Sequence, residues 1–230
     1  DSGAVERRLG ELFGPAQGGC REAPAVARRG PRDASPGEAR ESMRDKPNLD
    51  VVIGHPGGLR RADEDFLAAS LGNSVLGHST LSSRLGMRLR DREGLTYGVI
   101  SRFFGASLLD GPWAVTFSVA LQNLDRALVA VREELARFVA EGPSEAELAD
   151  ERAAMAGSYR VSLATPMGMA RELIRLVRHG LPVAEIDRIP ERVLATRREE
   201  VVAAVRRHID PDRLCLAVAG DLVAKQSGAV

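Results

Sequence analysis

The chain has 230 residues, of which 44% are hydrophobic, so it is long and apolar enough to bury a proper core. Its 32 basic and 32 acidic residues cancel, and no overall field attracts nucleic acid or an anionic membrane. Aromatic residues make up only 4%, too few for a platform that stacks single-stranded bases, and no apolar run approaches the roughly 18 residues of a membrane-spanning helix.

The first residues predict a helix followed by a long extended segment. A helical apolar stripe, ended by Gly14 and Pro15, consists of Val5, Leu9, Leu12 and Phe13. The following stretch is rich in Gly, Pro, Ala and Arg without periodicity. We therefore expect one domain over 1–230, made of an N-terminal helix at 1–14, an extended strap at 15–38 and an α+β core at 39–222.

Two strands and two helices are predicted next. The strands cover 39–43 and 49–54 and form a pair, with Lys46-Pro47-Asn48 as the turn. The acidic run 63–65 then lies in the first turn of a helix that ends near Gly77. A second helix is expected from about Ser79 to Arg92.

The positions of the glycine residues predict a helix-to-strand turn and then a hairpin. Gly94 can adopt the left-handed conformation that stops the second helix, and Tyr97 begins a strand that runs to Ala106. A second strand from Trp113 to Leu121 returns around Asp110-Gly111. Long connected strands of this kind imply an antiparallel sheet with one covered face.

Helical spacing dominates the remainder of the chain. A helix from 124 is stopped by Gly142, Ser144 with Glu147 forms a capping box for the next helix, and Thr165-Pro166 opens another that Gly180 closes. After a loop around Pro182 and Pro190, Thr196 with Glu199 forms a second capping box. A closing strand carries Leu214, Leu216 and Val218. The predicted fold class is α+β, a mostly antiparallel β-sheet with helices packed on one face.

Most catalytic signatures are missing from the sequence. The histidines lack the helical spacing of a zinc pair, and no His-x-x-Glu-His motif occurs; they are His55, His78, His179 and His208. No glycine-flanked elbow surrounds a serine, and the glycine-rich run at 54–58 lacks the Lys-Ser/Thr of a phosphate-binding loop. We therefore expect no metal, no cofactor and no catalytic residue in this chain.

Arg90 and Tyr97 remain, because they flank the predicted helix-to-strand turn. A long cation and a phenol at its two ends could both reach one peptide carbonyl or carboxylate beyond the sheet edge. The alternative is structural: a helix-end arginine paired to Asp91 or Glu93, with a tyrosine in the sheet. The residues alone leave both interpretations open.

Three runs together resemble the C-terminal half of the pitrilysin-type M16 metallopeptidases, the group of pitrilysin, insulysin and the mitochondrial processing peptidase. They are NSVLG at 73–77, SSRL at 82–85 and LRDREGLTYGV at 89–99. The similarity extends to IGHPG at 53–57 and to RLCLAVAGD at 213–221, so it covers nearly the whole chain.

The resemblance implies a function for the pair. In that family, two α+β halves face one another, and the N-terminal half carries zinc on a His-x-x-Glu-His motif. The C-terminal half contributes an arginine and a tyrosine that match Arg90 and Tyr97. The resemblance implies that Arg90 holds a peptide and that Tyr97 binds the substrate and supports the oxyanion. It also implies that an N-terminal zinc-bearing half performs the hydrolysis, and that the substrate is a peptide or an unfolded segment.

The resemblance leaves three matters open. The zinc-bearing half is either part of the same longer chain or a separate subunit. Some members of the family serve as structural core subunits of respiratory complexes, so a scaffold or peptide-binding subunit without proteolytic function is the alternative. Members operate in the cytosol, the periplasm and organelles, and the compartment is not determined by the sequence.

Overall fold

A computed structural model describes residues 2–14, 36–106 and 110–222. Its strands are β1 (Glu38–Ser42), β2 (Asn48–His55), β3 (Val99–Phe103), β4 (Trp113–Ala120) and β5 (Cys215–Gly220). The longer helices are α1 (Ser2–Phe13), α2 (Phe66–Gly77), α4 (Leu124–Glu141), α5 (Glu145–Leu163), α6 (Pro166–Arg178), α7 (Glu185–Ala195) and α8 (Arg198–His208). Between α2 and β3, a short helix α3 (Arg84–Gly86) continues into a π-helical segment, Met87–Arg92. No helix in these described ranges is long and apolar enough to cross a membrane.

The five strands form one mixed sheet in the order β1-β5-β2-β4-β3. Three of the four pairings are antiparallel, and only β1 with β5 is parallel. Side chains alternate along β2, where Leu49, Val51 and Ile53 are buried while Asp50 and Val52 are exposed. One sheet face is therefore covered by helices, and the predicted α+β class is confirmed.

Helix α2 lies at the centre of the helical layer and packs against α5, α7, α8 and β3. It is buried on nearly all sides, which explains why its sequence lacks a polar face. Helix α4 behaves as its pattern predicts, since its apolar positions are buried: Leu124, Leu128, Val131, Leu135 and Phe138. The predicted capping box of Ser144 and Glu147 is also present at the start of α5.

The predicted pairing of the first two strands is wrong. Strand β5 lies between β1 and β2, so Lys46 and Pro47 belong to a connection that passes across the end of β5, where Asp221 N–H donates to Lys46 O at 2.9 Å. Asn48 is already the first residue of β2. All five residues of β1 are exposed, whereas Leu216 and Val218 of β5 are buried. Burial of apolar side chains therefore places β5 inside the sheet and β1 at its edge.

The second predicted helix begins five residues late, at Arg84 instead of Ser79. The Ser79 hydroxyl accepts from the backbone N–H groups of Leu81 and Ser82, and the Ser83 hydroxyl accepts from Gly86 N–H. Serine side chains thus replace the first turns of the helix with a hydrogen-bonded loop.

Two other boundaries also differ from the predictions. The expected loop around Pro190 is helix α7, because Ile186, Ile189 and Val193 are buried at helical spacing and outweigh the proline. The second predicted capping box is wrong as well: the Thr196 hydroxyl donates to Arg192 O, and Glu200 accepts from Arg197 N–H at 2.7 Å.

The predicted N-terminal helix is present as α1, with Val5, Leu9 and Leu12 exposed. Most of the predicted strap, residues 15–35, lies outside the described part of the chain. The extent of the domain over 1–230 stays a prediction.

Candidate functional site

The π-helical segment Met87–Arg92 presents Arg90 beside the sheet edge. Leu85 and Leu89 are fully buried and hold the segment against the core. The backbone hydrogen bonds at the end of the segment span more residues than those of an α-helix. Glu93 N–H donates to Arg88 O at 3.1 Å, and Leu95 N–H donates to Leu89 O at 2.8 Å. Wide helical turns of this kind recur at functional sites.

The structural alternative for Arg90 does not hold among the described residues. Glu93 pairs with Arg88, whose Nε lies 3.1 Å from Glu93 Oε1, and Arg88 also reaches Glu133. The half-buried Arg90 side chain forms no hydrogen bond or ion pair with any residue in the described ranges. Its guanidinium donors are therefore available to a ligand.

The turn after Arg90 is closed as the glycine predicts. Gly94 has φ +60°, the left-handed conformation, and its N–H donates to Arg90 O at 3.2 Å. Leu95 is buried and draws the chain back to the core. Arg90 is thereby fixed at one end of a hydrogen-bonded turn.

Thr96 fixes the other end of the turn. Its hydroxyl donates to Ser118 O of β4 at 2.6 Å and accepts from Gly98 N–H at 3.2 Å. This local bonding delays the start of β3 to Val99, so Tyr97 lies two residues before the strand and not at its first position, as the sequence predicted. Sequence reasoning missed Thr96, whose only signal was its position beside the tyrosine.

Tyr97 projects from this anchored turn into solvent. Its side chain is 95% exposed and has no hydrogen-bond or ring partner within the described segments. An exposed tyrosine on a backbone that is fixed by hydrogen bonds is typical of a residue that contacts a ligand or another protein. Both its ring and its hydroxyl are accessible for such a contact. The structure thus places Arg90 and Tyr97 at the two ends of one turn, each with an unengaged polar end.

Asn73 of α2 binds strands β3 and β4, which follow the turn. Asn73 Oδ1 accepts from Trp113 Nε1–H at 2.8 Å and from the Ser101 hydroxyl at 2.9 Å, while its amide donates to Ser101 O at 3.0 Å. A Cβ on Gly77 would lie 2.5 Å from Ser101 Oγ. The first motif, NSVLG, therefore seats α2 on β3 and β4.

Arg84 joins α3 to the start of α5. Its guanidinium forms a forked ion pair with Glu147 at 2.7 and 2.8 Å, donates to Gly142 O, and lies 5.1 Å from the ring centroid of Phe138. The sequence singled out Arg84 only as part of a motif. The structure shows that it anchors the segment carrying Arg90.

This ion pair predicts a pH-dependent stability. The hydrogen bonds from Arg84 lower the pKa of Glu147 from 4.5 to about 2, so the pair stabilises the fold above about pH 4.5 and is lost as the pH falls toward 2. We expect Glu147→Gln to lower the free energy of unfolding by about 1 kcal/mol at pH 7, a value reduced for solvent screening, and by much less at pH 2.5.

Urea denaturation at both pH values measures this difference. Glu145→Gln is the matched control, because Glu145 is exposed in the same helical turn and its closest arginine nitrogen lies 3.8 Å away. An equal destabilisation by Glu147→Gln at pH 7 and pH 2.5 would contradict the assignment.

Two of the histidines, His55 and His208, have structural contacts. His55 Nδ1–H donates to Pro56 O, Nε2 accepts from Asp210 N–H at 3.1 Å, and the ring stacks on Trp113. Burial lowers the pKa of His55, which keeps the imidazole neutral. His208 lies 2.8 Å from Asp65. No group of three or more His, Cys, Asp or Glu residues that could hold a metal occurs within the described part of the chain.

Comparisons with known proteins identify the family of the chain. A family model described as the peptidase M16 inactive domain matches residues 5–155. The chain is similar to the peptidase M16 inactive domain from Pseudomonas fluorescens, with 26% identity and a TM-score of 0.75 over 84% of this chain and 45% of that one. A comparison with curated protein sequences finds no match.

Two more distant structures share the fold alone. One is the inactive peptidase domain of a protein assigned as a zinc protease from Bordetella parapertussis, with 19% identity and a TM-score of 0.60 over 77% of this chain and 92% of that one. The other is a chain of complex III2 from Candida albicans, with 18% identity and a TM-score of 0.62 over 82% and 47%. The present chain thus spans less than half of the Pseudomonas chain.

Proposed function

The chain belongs to the peptidase M16 inactive-domain family, and from that membership we propose that it is the substrate-binding, non-catalytic half of a zinc metalloendopeptidase. Arg90 and Tyr97, at the ends of one hydrogen-bonded turn, have no side-chain partner in the described part of the chain, and this supports the function. A purely structural subunit has no need of an exposed tyrosine and an unpaired arginine in this arrangement.

Arg90 holds the peptide. A guanidinium carries five N–H donors and remains charged, so it binds a backbone carbonyl or a carboxylate without depending on pH. Arg88 engages Glu93, and Asp91 forms no ion pair with Arg90, so no acidic neighbour in the described turn occupies the guanidinium. A substrate oxygen can therefore replace water at its N–H groups.

Tyr97 contacts the reacting region of the substrate. Its hydroxyl donates to the substrate and to the oxyanion that develops when the peptide carbonyl is attacked. Thr96 keeps the tyrosine backbone on β4, so the hydroxyl needs little reorganisation to reach its target.

Strand β3, which begins two residues after Tyr97, offers a surface for an extended peptide. Among the described strands it pairs only with β4, so it is an edge strand of the sheet. Val99 O and Ser101 O accept from the Thr80 and Asn73 side chains, so an added segment would pair with the backbone groups that remain. An extended segment can add to such an edge as a further strand. Substrates of this chain are thus peptides or unfolded protein segments.

Zinc belongs to the partner half in this proposal. The sequence contains no His-x-x-Glu-His motif, and the described residues assemble no donor set that fits the ion. When bound in the partner, zinc supplies an activated water and polarises the carbonyl. The present chain supplies binding and orientation.

Measurements on the purified chain alone test whether zinc and catalysis belong to the partner half. We expect zinc well below one equivalent per chain by elemental analysis after dialysis, and no cleavage of an unstructured peptide. One zinc per chain together with peptide cleavage would show that the chain owns a catalytic centre and would overturn the proposal.

A further inference from the structure

Arg61, in the loop between β2 and α2, is a half-buried arginine without an ion-pair partner. Its guanidinium carbon lies 4.7 Å from the ring centroid of Phe66, the first residue of α2. No hydrogen bond or ion pair joins Arg61 to any residue in the described segments. The face of the guanidinium is thus occupied by the ring, while the N–H edge has no acceptor among the described residues.

The surroundings of Arg61 contain more cations than free carboxylates. Arg175 of α6 and Arg192 of α7 act on it electrostatically, and it acts on His179, the residue that follows α6. The nearby Glu172 is already engaged, because Arg175 Nε lies 2.6 Å from Oε2 and the Tyr159 hydroxyl donates to Oε1 at 2.7 Å. Arg192 in turn pairs with Glu185 at 2.8 Å. Glu172 attracts the charge of Arg61, but no carboxylate in the described segments forms an ion pair with it.

Such an arrangement is unfavourable for a protein without a ligand. Burial, and then the charge of Arg175, lower the pKa of Arg61 to about 10, yet the guanidinium stays positive at neutral pH. A desolvated cation without a hydrogen-bonded anion destabilises the folded state. An incoming anion would supply the missing charge and accept from the free N–H edge.

We propose that Arg61, flanked by Arg175 and His179, binds an oxyanion, the carboxylate or phosphate group of a ligand. A planar guanidinium held on an aromatic ring presents two parallel N–H donors, the geometry that carboxylates and phosphates accept in a bidentate manner. Arg175 is already oriented by Glu172 and adds positive potential at the same place.

The site is separate from the turn that carries Arg90 and Tyr97. Arg61 lies against the first residue of α2, whereas the last, Gly77, lies against Leu85 of α3. A helix of 12 residues spans about 18 Å. Loss of anion binding at Arg61 would therefore leave the proposed peptide contacts unaffected, and the two proposals fail independently.

Thermal unfolding and calorimetric titration of the full chain test the site at pH 7.5. Sodium phosphate and N-acetylglycine, a mimic of a chain-terminal carboxylate, are compared with sodium chloride at equal ionic strength. We expect saturable binding of at least one anion and a raised midpoint of unfolding. In Arg61→Gln we expect affinity at least about tenfold weaker and a ligand-free midpoint no lower than in the native chain.

Two further variants complete the test. Arg171→Gln, which removes an exposed arginine of the neighbouring helix α6, should bind as the native chain does. If Arg61→Gln does not fold, Arg61→Lys replaces it in the test. Lysine keeps the positive charge but lacks the two parallel N–H donors, so this variant should bind the anion several-fold more weakly than the native chain. If only phosphate binds saturably, the ligand group is a phosphate. If only N-acetylglycine binds saturably, the ligand group is a carboxylate. Absence of saturable binding, or equal affinity in the Arg61 variants, would overturn the proposal.

Discussion

Replacing Tyr97 with phenylalanine is expected to lower kcat of the assembled peptidase at least about tenfold without changing the stability of this chain. The hydroxyl has no partner in the described structure and the side chain is 95% exposed, so its loss changes the free energy of unfolding by less than about 0.5 kcal/mol. A donor that meets the developing oxyanion, in contrast, acts mainly in the transition state.

Arg90→Ala should lower kcat/KM by a comparable factor, with a larger share in KM because the guanidinium also holds the bound peptide. Both variants are measured with an internally quenched peptide after assembly with the zinc-bearing half. Arg92→Ala is the matched control, since Arg92 is an exposed arginine of the same π-helical segment. Unchanged kinetics in both variants would return Arg90 and Tyr97 to a structural interpretation.

Asn73→Leu should destabilise the chain more than any other single change considered. Leucine has nearly the shape of asparagine but accepts no hydrogen bond, so Trp113 Nε1–H, the Ser101 hydroxyl and Ser101 O would lose their buried partner. Each unsatisfied buried polar group costs roughly 1–3 kcal/mol, and we expect a total near 3 kcal/mol.

Urea denaturation monitored by the fluorescence of Trp113, the only tryptophan, measures this loss. Ser101→Ala should have a smaller effect, because Asn73 keeps its bond to the indole. Asn123→Ala is the control, since the Asn123 side chain makes no capping hydrogen bond at the start of α4. A change below about 0.5 kcal/mol in Asn73→Leu would show that the network does not support α2.

Local chemistry predicted much of this molecule. The apolar spacing of α4, the capping box of Ser144 and Glu147, and the left-handed Gly94 all rest on interactions within a few residues, and each is present in the structure. The family expected from the motifs at 73–77 and 89–99 is confirmed by the match over residues 5–155.

Errors arose where distant residues decide the structure. The insertion of β5 beside β1 depends on which strands bury apolar side chains, and pairing partners about 180 residues apart leave no local signal. Helix α7 contains Pro190 because packing against α5 outweighs a local penalty. The late start of α3 likewise reflects serine side chains that compete for the backbone.

The sequence identified the two candidate residues of the site, but it did not predict how the structure positions them. Arg90 and Tyr97 were identified from their spacing and the family motif, but the residues that position them were not. Thr96 bonds to β4 and Arg84 bonds to the start of α5, and both partners are distant in sequence. Glu93 pairs with Arg88 and not with Arg90. The sequence alone had left open a pair of Arg90 with Asp91 or Glu93.

Cleavage on mixing is the decisive measurement for the proposed function. The purified chain is combined with a zinc-bearing half that carries the His-x-x-Glu-His motif, and hydrolysis of a quenched peptide is followed against each half alone. The account predicts cleavage only in the mixture, and its loss when the chain carries both Arg90→Ala and Tyr97→Phe. Equal cleavage by the zinc-bearing half without this chain, or full activity with the double variant, would contradict it.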